Sequence, residues 1–316
     1  MLNAILLALV PVFFVLALGY GAGRLQIVDS HNVDSLNTLV MAFALPASLF
    51  VAAASAPRPE IIAQAPLFVI LGAIMLALHL VWYFVARAFW GASRPDAALQ
   101  ALTVSFPNMA GVGLPIASSV LGPSGTVPVA VALAAGSIIV SPLTLVLVEL
   151  GAEKKGNLAV APAIRVLRAL RPALTKPIVV APALGILFSL SDLKLGTIAE
   201  ACLMLIGHAA PAVALFLTGL ILSSQSFRLN WKVVAATGMA DTVRPLLTTA
   251  VVFALPVSTE TAKIAILLAA VPSGFFGILF AVNYRLDSAT AGSMVTASTV
   301  FSIVTMAIAI AVLFPH

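Results

Sequence analysis

The stretch that decides the fold is Phe106-Pro107-Asn108-Met109-Ala110-Gly111-Val112-Gly113-Leu114-Pro115, which lies inside a segment apolar enough to cross a membrane. A second stretch of the same kind is Val271-Pro272-Ser273-Gly274-Phe275-Phe276-Gly277. Lipid cannot hydrogen-bond the N–H and C=O groups that a helix break exposes, so a break is tolerated only where protein or a wet cavity surrounds it. The two stretches therefore predict two interrupted helices that cross inside the protein, near the middle of the membrane.

The composition of the 316-residue chain is that of a membrane protein. Hydrophobic residues make up 62% of the sequence and charged residues only 9%, whereas a soluble domain carries about 25% charged residues. The net charge of +5 does not indicate nucleic-acid binding, because most Lys and Arg residues lie between apolar segments. The single cysteine, Cys202, excludes an internal disulfide. No spacing of His, Cys, Asp and Glu indicates a metal site, and we expect no cofactor.

Ten segments of the sequence are long and apolar enough to be membrane spans, which need about 20 mostly apolar residues. They cover roughly residues 3–23, 36–54, 64–90, 97–120, 126–150, 173–191, 199–223, 231–256, 261–283 and 289–314. No alternating barrel pattern is present, so the prediction is an all-α polytopic protein. The two interrupted stretches lie in spans 4 and 9, the fourth span of each half of the chain.

The distribution of positive charge predicts the orientation in the membrane. Three of the sixteen Lys and Arg residues fall on the side of the N-terminus and one, Arg244, inside a span, which leaves twelve on the opposite side. The three are Arg58, Lys194 and Lys263; the twelve are Arg24, Arg87, Arg94, Lys154, Lys155, Arg165, Arg168, Arg171, Lys176, Arg228, Lys232 and Arg285. Because positive charge stays on the cytoplasmic side, both termini are predicted to lie outside.

Five spans precede a basic segment and five follow it, so the two halves are predicted to insert in opposite directions. The expected units are a first inverted repeat at residues 1–150, a basic cytoplasmic linker at 151–172 and a second inverted repeat at 173–316. Two internal matches support the repeat. Residues 44–50 are similar to 210–216, and spans 5 and 10 each carry hydroxyls at spacing i, i+4, i+7: Ser137, Ser141 and Thr144, and Ser298, Ser302 and Thr305.

The residues of the broken stretches suit a binding site for an anion. The predicted helix breaks are Pro107, Pro115, Pro272 and Gly277. The N-terminal end of a half-helix offers free N–H groups and a partial positive charge, and matched interrupted spans are typical of a transporter's binding site. The candidate substrate-binding residues are Asn108, Gly111, Gly113, Pro115, Pro272, Ser273, Gly274, Gly277, Ser137, Ser141, Ser298 and Ser302. The alternatives are an ordinary proline kink for the breaks and helix packing for the serines.

Span 8 contains two charged residues, Asp241 and Arg244, at a spacing that places both on one helix face. Each charge costs about 2.5–3.5 kcal/mol at the bilayer centre on insertion scales. One interpretation is that the two side chains neutralise each other. The other is that they have a coupling role, in which Asp241 titrates during transport or Arg244 faces an anionic substrate.

Taken in order, these residues resemble the auxin efflux carrier family of secondary transporters, in particular its bacterial members, over almost the whole chain. The residues that carry the resemblance are Val10-Pro11, Gly19-Tyr20-Gly21, Arg24, Asn37, Ala44-Leu45-Pro46, Phe50, Asn108, Gly113, Pro115, Pro272-Ser273-Gly274, Phe280-Ala281 and Tyr284. The resemblance implies ten transmembrane helices in two inverted five-helix repeats with broken, crossing helices 4 and 9, a bile-acid-symporter-like fold of the elevator type. Gly277 departs from the family, because some members have proline at this place.

The same resemblance implies a scaffold of spans 1, 2, 6 and 7, often dimeric, and a moving transport unit of spans 3–5 and 8–10, with Asn108 as the strongest candidate for a substrate contact. It further implies a multi-pass protein of the cell inner membrane that carries a small carboxylate such as malonate or malate. The hypothesis is a secondary transporter; coupling to a proton or to sodium is left open, since neither broken stretch contains an acidic residue. The alternative is a channel or a ligand-sensing membrane protein. An enzyme is disfavoured, because HExxH, paired aspartates and GxSxG are absent.

Overall fold

The computed structural model describes residues 2–28, 30–151, 171, 174–284 and 286–315, and within these the chain is helical. The α-helices are α1 Leu2–Arg24, α2 Ser30–Thr38, α3 Leu45–Ser55, α4 Arg58–Ala63, α5 Ala65–Phe89, α6 Arg94–Ser105, α7 Leu114–Leu121, α8 Thr126–Gly151, α9 Pro177–Leu190, α10 Thr197–Gly207, α11 Ala210–Ser224, α12 Trp231–Gly238, α13 Arg244–Ala254, α14 Thr259–Ala269, α15 Phe276–Asn283 and α16 Ala289–Leu313. Extended pairing in this part of the chain is limited to one isolated bridge.

Six helical segments in the described residues are long and apolar enough to cross a membrane: Ile5–Arg24, Val33–Ser55, Arg58–Phe89, Thr126–Gly151, Thr197–Ser224 and Ala289–Leu313. Two shorter apolar helices are Met109–Leu121 and Pro177–Leu190. The prediction of an all-α polytopic membrane protein is thus confirmed. The count of ten spans stays a prediction, because spans 4 and 9 are interrupted, span 6 is short, and span 8 carries charge.

Three π-helical turns lie within the helical segments, and each has the same cause. They are Leu39–Ala44, Met109–Gly113 and Met239–Val243, and they end at the starts of α3, α7 and α13. The second residue of each of these helices is a proline: Pro46, Pro115 or Pro245. A proline ring clashes with the carbonyl of the preceding turn and lacks an N–H donor, so the preceding turn widens. Such π-bulges are frequent at functional sites.

Helices α1 and α11 pack against each other over most of their length. The contact is close because Gly19 and Gly23 of α1 and Gly219 of α11 lack side chains. A Cβ atom at Gly19 would meet the Phe216 carbonyl, and one at Gly219 would meet the Leu16 carbonyl. The small residues near the end of the first span therefore serve helix packing.

The helices form two sets of contacts. Helix α3 packs against α9 and α10, beside the α1–α11 pair, whereas α5, α6 and α8 pack on one another, as do α13 with α14 and α12 with α16. Helix α6 also contacts α15 and α16, and α5 contacts α13 and α14, which joins the latter groups into one layer.

Most of the basic linker predicted at 151–172, with Lys154, Lys155, Arg165 and Arg168, lies outside the described residues, as does Arg285.

Candidate functional site

The break in span 4 is short and buried. Helix α6 ends at Ser105, Phe106 to Asn108 are not helical, and the chain resumes helical form at Met109. Asn108 caps the second half: its Oδ1 accepts a hydrogen bond from the Gly111 N–H at 2.9 Å, and its main-chain oxygen accepts from Val112 and Gly113 at 2.9 Å each. A side-chain oxygen at this position satisfies amides that the helix start leaves without a partner.

The break in span 9 lies against the break in span 4. The Asn108 N–H donates to the Pro272 carbonyl at 2.8 Å, and the Gly274 N–H donates to the Phe106 carbonyl at 2.9 Å. These two bonds form an antiparallel bridge between Pro107 and Ser273. The two breaks therefore pair with each other through their main chains. Each freed backbone group named here finds its partner in the other break, as the absence of water in a bilayer requires.

Two glycines permit this close approach. A Cβ atom at Gly274 would lie 2.6 Å from the Phe106 carbonyl oxygen and 3.2 Å from that of Pro107. A Cβ atom at Gly277 would collide with the Thr103 hydroxyl and lie 2.9 Å from the Leu99 carbonyl oxygen. Gly277 is the second residue of α15 rather than part of the break, and it lies directly against α6. At this position the need for a small residue, rather than a need for unusual dihedral angles, explains the glycine.

Arg244 binds main-chain carbonyls of both broken helices. Its Nε donates to the Ala269 carbonyl at 2.9 Å, one terminal nitrogen donates to the Val104 carbonyl at 2.8 Å, and the other donates to the Val271 carbonyl. The Val104 and Ala269 carbonyls lie at the C-terminal ends of α6 and α14, which carry partial negative charge, and Val271 lies in the break after α14. Only 1% of the Arg244 surface is exposed, and each of its three guanidinium nitrogens donates to a main-chain carbonyl.

Asp241 is also buried, but it does not pair directly with Arg244. Among the described residues, the ion pair within 4.0 Å is that of Arg58 and Asp192, at 3.0 Å on the surface. Asp241 Oδ1 instead accepts a hydrogen bond from the Ser298 hydroxyl at 2.7 Å. The π turn at Met239–Val243 explains the difference, because its wider turn rotates the two side chains away from the shared face that α-helical spacing predicts.

Ser298 connects Asp241 to the crossing. Its Oγ accepts a hydrogen bond from the Ser273 N–H at 2.8 Å while its proton is donated to Asp241. The other predicted serines do not take part in this way. Ser302 donates to the Thr299 carbonyl in its own helix, and Ser137 and Ser141 are buried on α8. The predicted three-hydroxyl faces therefore contribute one hydroxyl, Ser298, to the crossing.

Of the remaining predicted residues, Gly111 and Gly113 lie on the π turn, whereas Pro115, predicted as a helix break, lies inside α7. Gly111 and Gly113 are buried and Pro115 is half-buried. Asn108 Nδ2 lies 3.5 Å from the Thr218 hydroxyl of α11, and a Cβ atom at Gly111 would lie 2.7 Å from the same hydroxyl. Sequence reasoning missed Thr218. The sequence match of residues 210–216 ends two residues before Thr218, so the available signal was a threonine just beyond that match on the same helix.

A cavity of 530 Å³ lies between the α3–α10–α11 side of the protein and α7. Leu114 and Ser48 lie among its lining residues, as do Ser118, Thr126 and Pro211. Leu114 directly follows the π turn that holds Gly111 and Gly113, so the cavity reaches within two helical turns of Asn108. It lies at the end of the helices that the charge distribution assigns to the outside.

Comparison with known proteins gives a consistent result. The profile of the family described as "Membrane transport protein" matches residues 4–310. The chain is 27% identical over 303 residues to the uncharacterized transporter YfdV of Escherichia coli (strain K12), and the match covers 94% of each chain. The proteins of the same name from Escherichia coli O157:H7 and Shigella flexneri match equally well over the same shares.

Proposed function

The chain belongs to the membrane transport protein family, the auxin efflux carrier family that its motifs resemble, and from this premise we propose that it is a secondary active transporter of a small organic anion, a carboxylate. The observation that carries the proposal is the crossing, where two helix breaks pair through Asn108, Pro272, Phe106 and Gly274. The proposed substrate site lies beside Asn108, between the N-terminal ends of the two helical segments that follow the breaks.

The electrostatics of the crossing favour an anion. Four helix ends meet there: the C-terminal ends of α6 and α14 and the N-terminal ends of the π turn before α7 and of α15. Arg244 binds carbonyls at both C-terminal ends, which offsets their negative charge. The N-terminal ends, with their partial positive charge, are left to face a ligand. In this proposal Arg244 acts on the substrate through the helix ends that it holds.

The packing supports a division into a scaffold and a moving transport unit. We assign spans 1, 2, 6 and 7, which contain α1, α3, α9, α10 and α11, to a scaffold that forms a homodimer. Spans 3–5 and 8–10, which contain the crossing, form the transport unit. The Asn108–Thr218 contact of 3.5 Å joins the two parts. It is long for a hydrogen bond, as expected of a contact that must break when the transport unit moves in an elevator cycle.

Binding of small carboxylates tests the proposal directly. A thermal-shift screen of the purified protein with malonate, malate and related carboxylates should give at least one stabilising ligand, because a ligand that binds the native state raises its apparent stability. Asn108→Ala should abolish that shift. The matched control is Asn230→Ala, since Asn230 also caps a helix start, with its Oδ1 accepting from the Val233 N–H at 3.1 Å, far from the crossing. The control should lose about 1 kcal/mol of stability and keep the ligand shift.

The outcomes of this screen are clear. A carboxylate that stabilises the wild type and Asn230→Ala but not Asn108→Ala supports the proposed site. A shift that persists in Asn108→Ala would move the site elsewhere, and a panel without any stabilising ligand would contradict the carboxylate proposal. Saturation and counterflow in proteoliposomes with the same ligand distinguish a carrier from a channel.

Lys176 is proposed to hold the cytoplasmic side closed in this conformation. Its Nζ lies 4.3 Å from the centroid of the Phe280 ring, so it joins the start of α9 in the scaffold to α15 in the transport unit. A cation–π contact contributes about 0.5–2 kcal/mol. Lys176→Ala should therefore shift the population by a few-fold away from the state in which the 530 Å³ cavity is open to the outside.

Cysteine labelling measures this shift. In a Cys202→Ser background, Ser118→Cys places a thiol in the 530 Å³ cavity, and a membrane-impermeant maleimide added outside should react with it. Lys176→Ala should slow the reaction by a few-fold, whereas Lys232→Ala, which removes another basic residue of the same side, should not. Labelling only from the inside would reverse the proposed orientation, and an unchanged rate in Lys176→Ala would contradict the closing role.

A further inference from the structure

One acidic side chain in the described part of the chain is buried, and half of its carboxylate has no partner. Asp241 is 1% exposed. Its Oδ1 accepts from Ser298, while its Oδ2 is enclosed and accepts no hydrogen bond. An ionised carboxylate away from water is costly unless both oxygens are satisfied. A proton bound at Oδ2 would remove this cost.

The position of this oxygen links it to the crossing. Asp241, Ser298 and the Ser273 N–H form one chain of hydrogen bonds of 2.7 and 2.8 Å. Ser298 has a single hydroxyl proton, and that proton is directed at Asp241, which leaves the oxygen oriented to accept from Ser273. Ser273 is the residue that pairs with Pro107 in the antiparallel bridge. The charge state of Asp241 therefore acts on the crossing through two hydrogen bonds.

The charged groups around Asp241 are few. The π turn that carries it packs against α6, α12, α13 and α16. Helix α13 contributes Arg244, which is bound to three carbonyls, and α16 contains no titratable residue. Helix α12 contributes Lys232, nine residues earlier and so about 13 Å away along the helix. Helix α6 contributes Arg94 and Asp96, which lie at its N-terminal end. Arg244 contacts the Val104 carbonyl, near the C-terminal end of the same helix. Arg244 is thus the charged group close to Asp241.

The free oxygen fits a proton better than a metal ion. A hard cation takes six or more oxygen ligands, and the described residues offer Asp241 no second buried carboxylate to share such an ion. A proton needs only the one unpartnered oxygen. A separate cavity of 280 Å³, lined by Gln100, Asp96 and Ala291, enters the same helix layer from the predicted cytoplasmic side. Ala291 precedes Ser298 by seven residues, about 10 Å along α16.

We propose that Oδ2 of Asp241 is a proton-binding site and that its occupancy is transmitted to the helix crossing through Ser298. A hydronium ion that reaches the 280 Å³ cavity releases its proton and becomes water; the proton forms an O–H bond at Oδ2, which makes the carboxyl group neutral. Neutral Oδ1 is a weaker acceptor than a carboxylate oxygen, so Ser298 holds it less firmly and in turn holds the Ser273 N–H less firmly. This inference rests on the proposed function only in making the proton the coupling ion of transport. Its test needs no substrate.

Hydrogen–deuterium exchange of the purified protein tests the relay at the crossing itself. Exchange of a peptide that covers residues 271–277 is measured at mildly acidic and mildly alkaline pH, with labelling times scaled for the intrinsic pH dependence of amide exchange. In the wild type, exchange at this segment should be about fivefold faster at acidic pH, which corresponds to about 1 kcal/mol, the value of one hydrogen bond. Asp241→Asn, which cannot ionise, should show the same scaled exchange at both pH values.

Two further variants complete the test. Ser298→Ala keeps the carboxyl group but removes the relay, so the pH response of segment 271–277 should disappear there too, whatever the folding of Asp241→Asn. Asp34→Asn, at an exposed aspartate of α2 that does not line the 280 Å³ cavity, should keep the wild-type response. A wild type without a pH response, or a response that survives in Asp241→Asn or in Ser298→Ala, would overturn the proposal.

The result is separable from that of the ligand screen. Suppose that the pH response is lost in Asp241→Asn and Ser298→Ala and that no carboxylate stabilises the protein. The proton site is then supported, and the proposed substrate class is contradicted. A stabilising carboxylate together with a crossing that does not respond to pH would remove the proton site and leave the transport proposal.

Discussion

Arg244→Met should destabilise the protein by about 3 kcal/mol or more, because each buried carbonyl left without a donor costs about 1–3 kcal/mol. Arg244 donates to three carbonyls, those of Val104, Ala269 and Val271. Methionine fills much of the same volume without donating to any of them. The stability of Arg244→Lys should fall between that of the wild type and that of Arg244→Met, because a single ammonium keeps the charge but cannot reproduce the planar fork of donors.

The thermal unfolding midpoint of the purified protein measures this effect. Arg58→Met is the matched control, since Arg58 forms an exposed ion pair with Asp192, and such surface pairs contribute only about 0–1 kcal/mol. A loss in Arg244→Met no larger than that in Arg58→Met would contradict the role of Arg244 at the crossing.

A double variant separates the two roles of the guanidinium. If Arg244 matters chiefly as the positive charge beside Asp241, then Asp241→Asn should restore the stability of Arg244→Met. If it matters because it binds the carbonyls at the ends of α6 and α14, as we expect, Asp241→Asn should restore little, since those carbonyls stay without donors. The non-additivity of the two substitutions measures the charge contribution.

Gly274→Ala should separate the two broken helices and abolish substrate binding. The new Cβ atom would lie 2.6 Å from the Phe106 carbonyl oxygen and 3.3 Å from the Pro107 carbonyl carbon. These are main-chain atoms, which cannot move aside as a flexible side chain can. The bond from the Gly274 N–H to Phe106 would be lost, and with it the pairing of Pro107 with Ser273.

Two measurements check this expectation. The carboxylate shift should disappear, and the amides of residues 106–109 and 272–275 should lose their protection from hydrogen exchange. Gly21→Ala is the control, because a Cβ atom at Gly21 on α1 would meet nothing within 4 Å, and alanine is a better helix former than glycine by about 0.5–1 kcal/mol. It should fold at least as well as the wild type. Preserved exchange protection in Gly274→Ala would show that the crossing tolerates a side chain.

The positions of the two breaks were predictable from the sequence because each break is marked by proline and glycine residues. Pro107 and Pro272 cannot donate a main-chain hydrogen bond, and Gly274 permits close approach. A membrane then restricts where such breaks can lie. The pairing of the two breaks follows from these facts, and the structure shows it at Pro107 and Ser273.

The role of Arg244 was not predictable in the same way. Its acceptors are main-chain carbonyls, one of them 140 residues away in the chain, and a carbonyl has no residue-type signature. The sequence offered Asp241 three positions earlier, and α-helical spacing favoured an ion pair between them. The π turn before Pro245 changes that geometry, and the serine that Asp241 binds comes from α16.

The serines show the same limit. Spacing places Ser298 and Ser302 on one face of their helix, but only Ser298 reaches the crossing, and Ser302 bonds within its own helix. Thr218 carries no local mark of its contact with Asn108, because that contact depends on how α11 packs against the π turn.

The sequence by itself determined that the chain is an all-helical membrane protein with two helix breaks, since hydrophobic length and proline and glycine positions act locally along the chain. Only the tertiary structure decided what satisfies those breaks. Arg244 binds carbonyls at the ends of α6 and α14, the Asn108 and Gly274 amides each donate to a carbonyl of the other break, and Ser298 connects Asp241 to Ser273. These partners are distant in the chain, and the polar groups at a break in a membrane bind whatever donor or acceptor the packing brings to them.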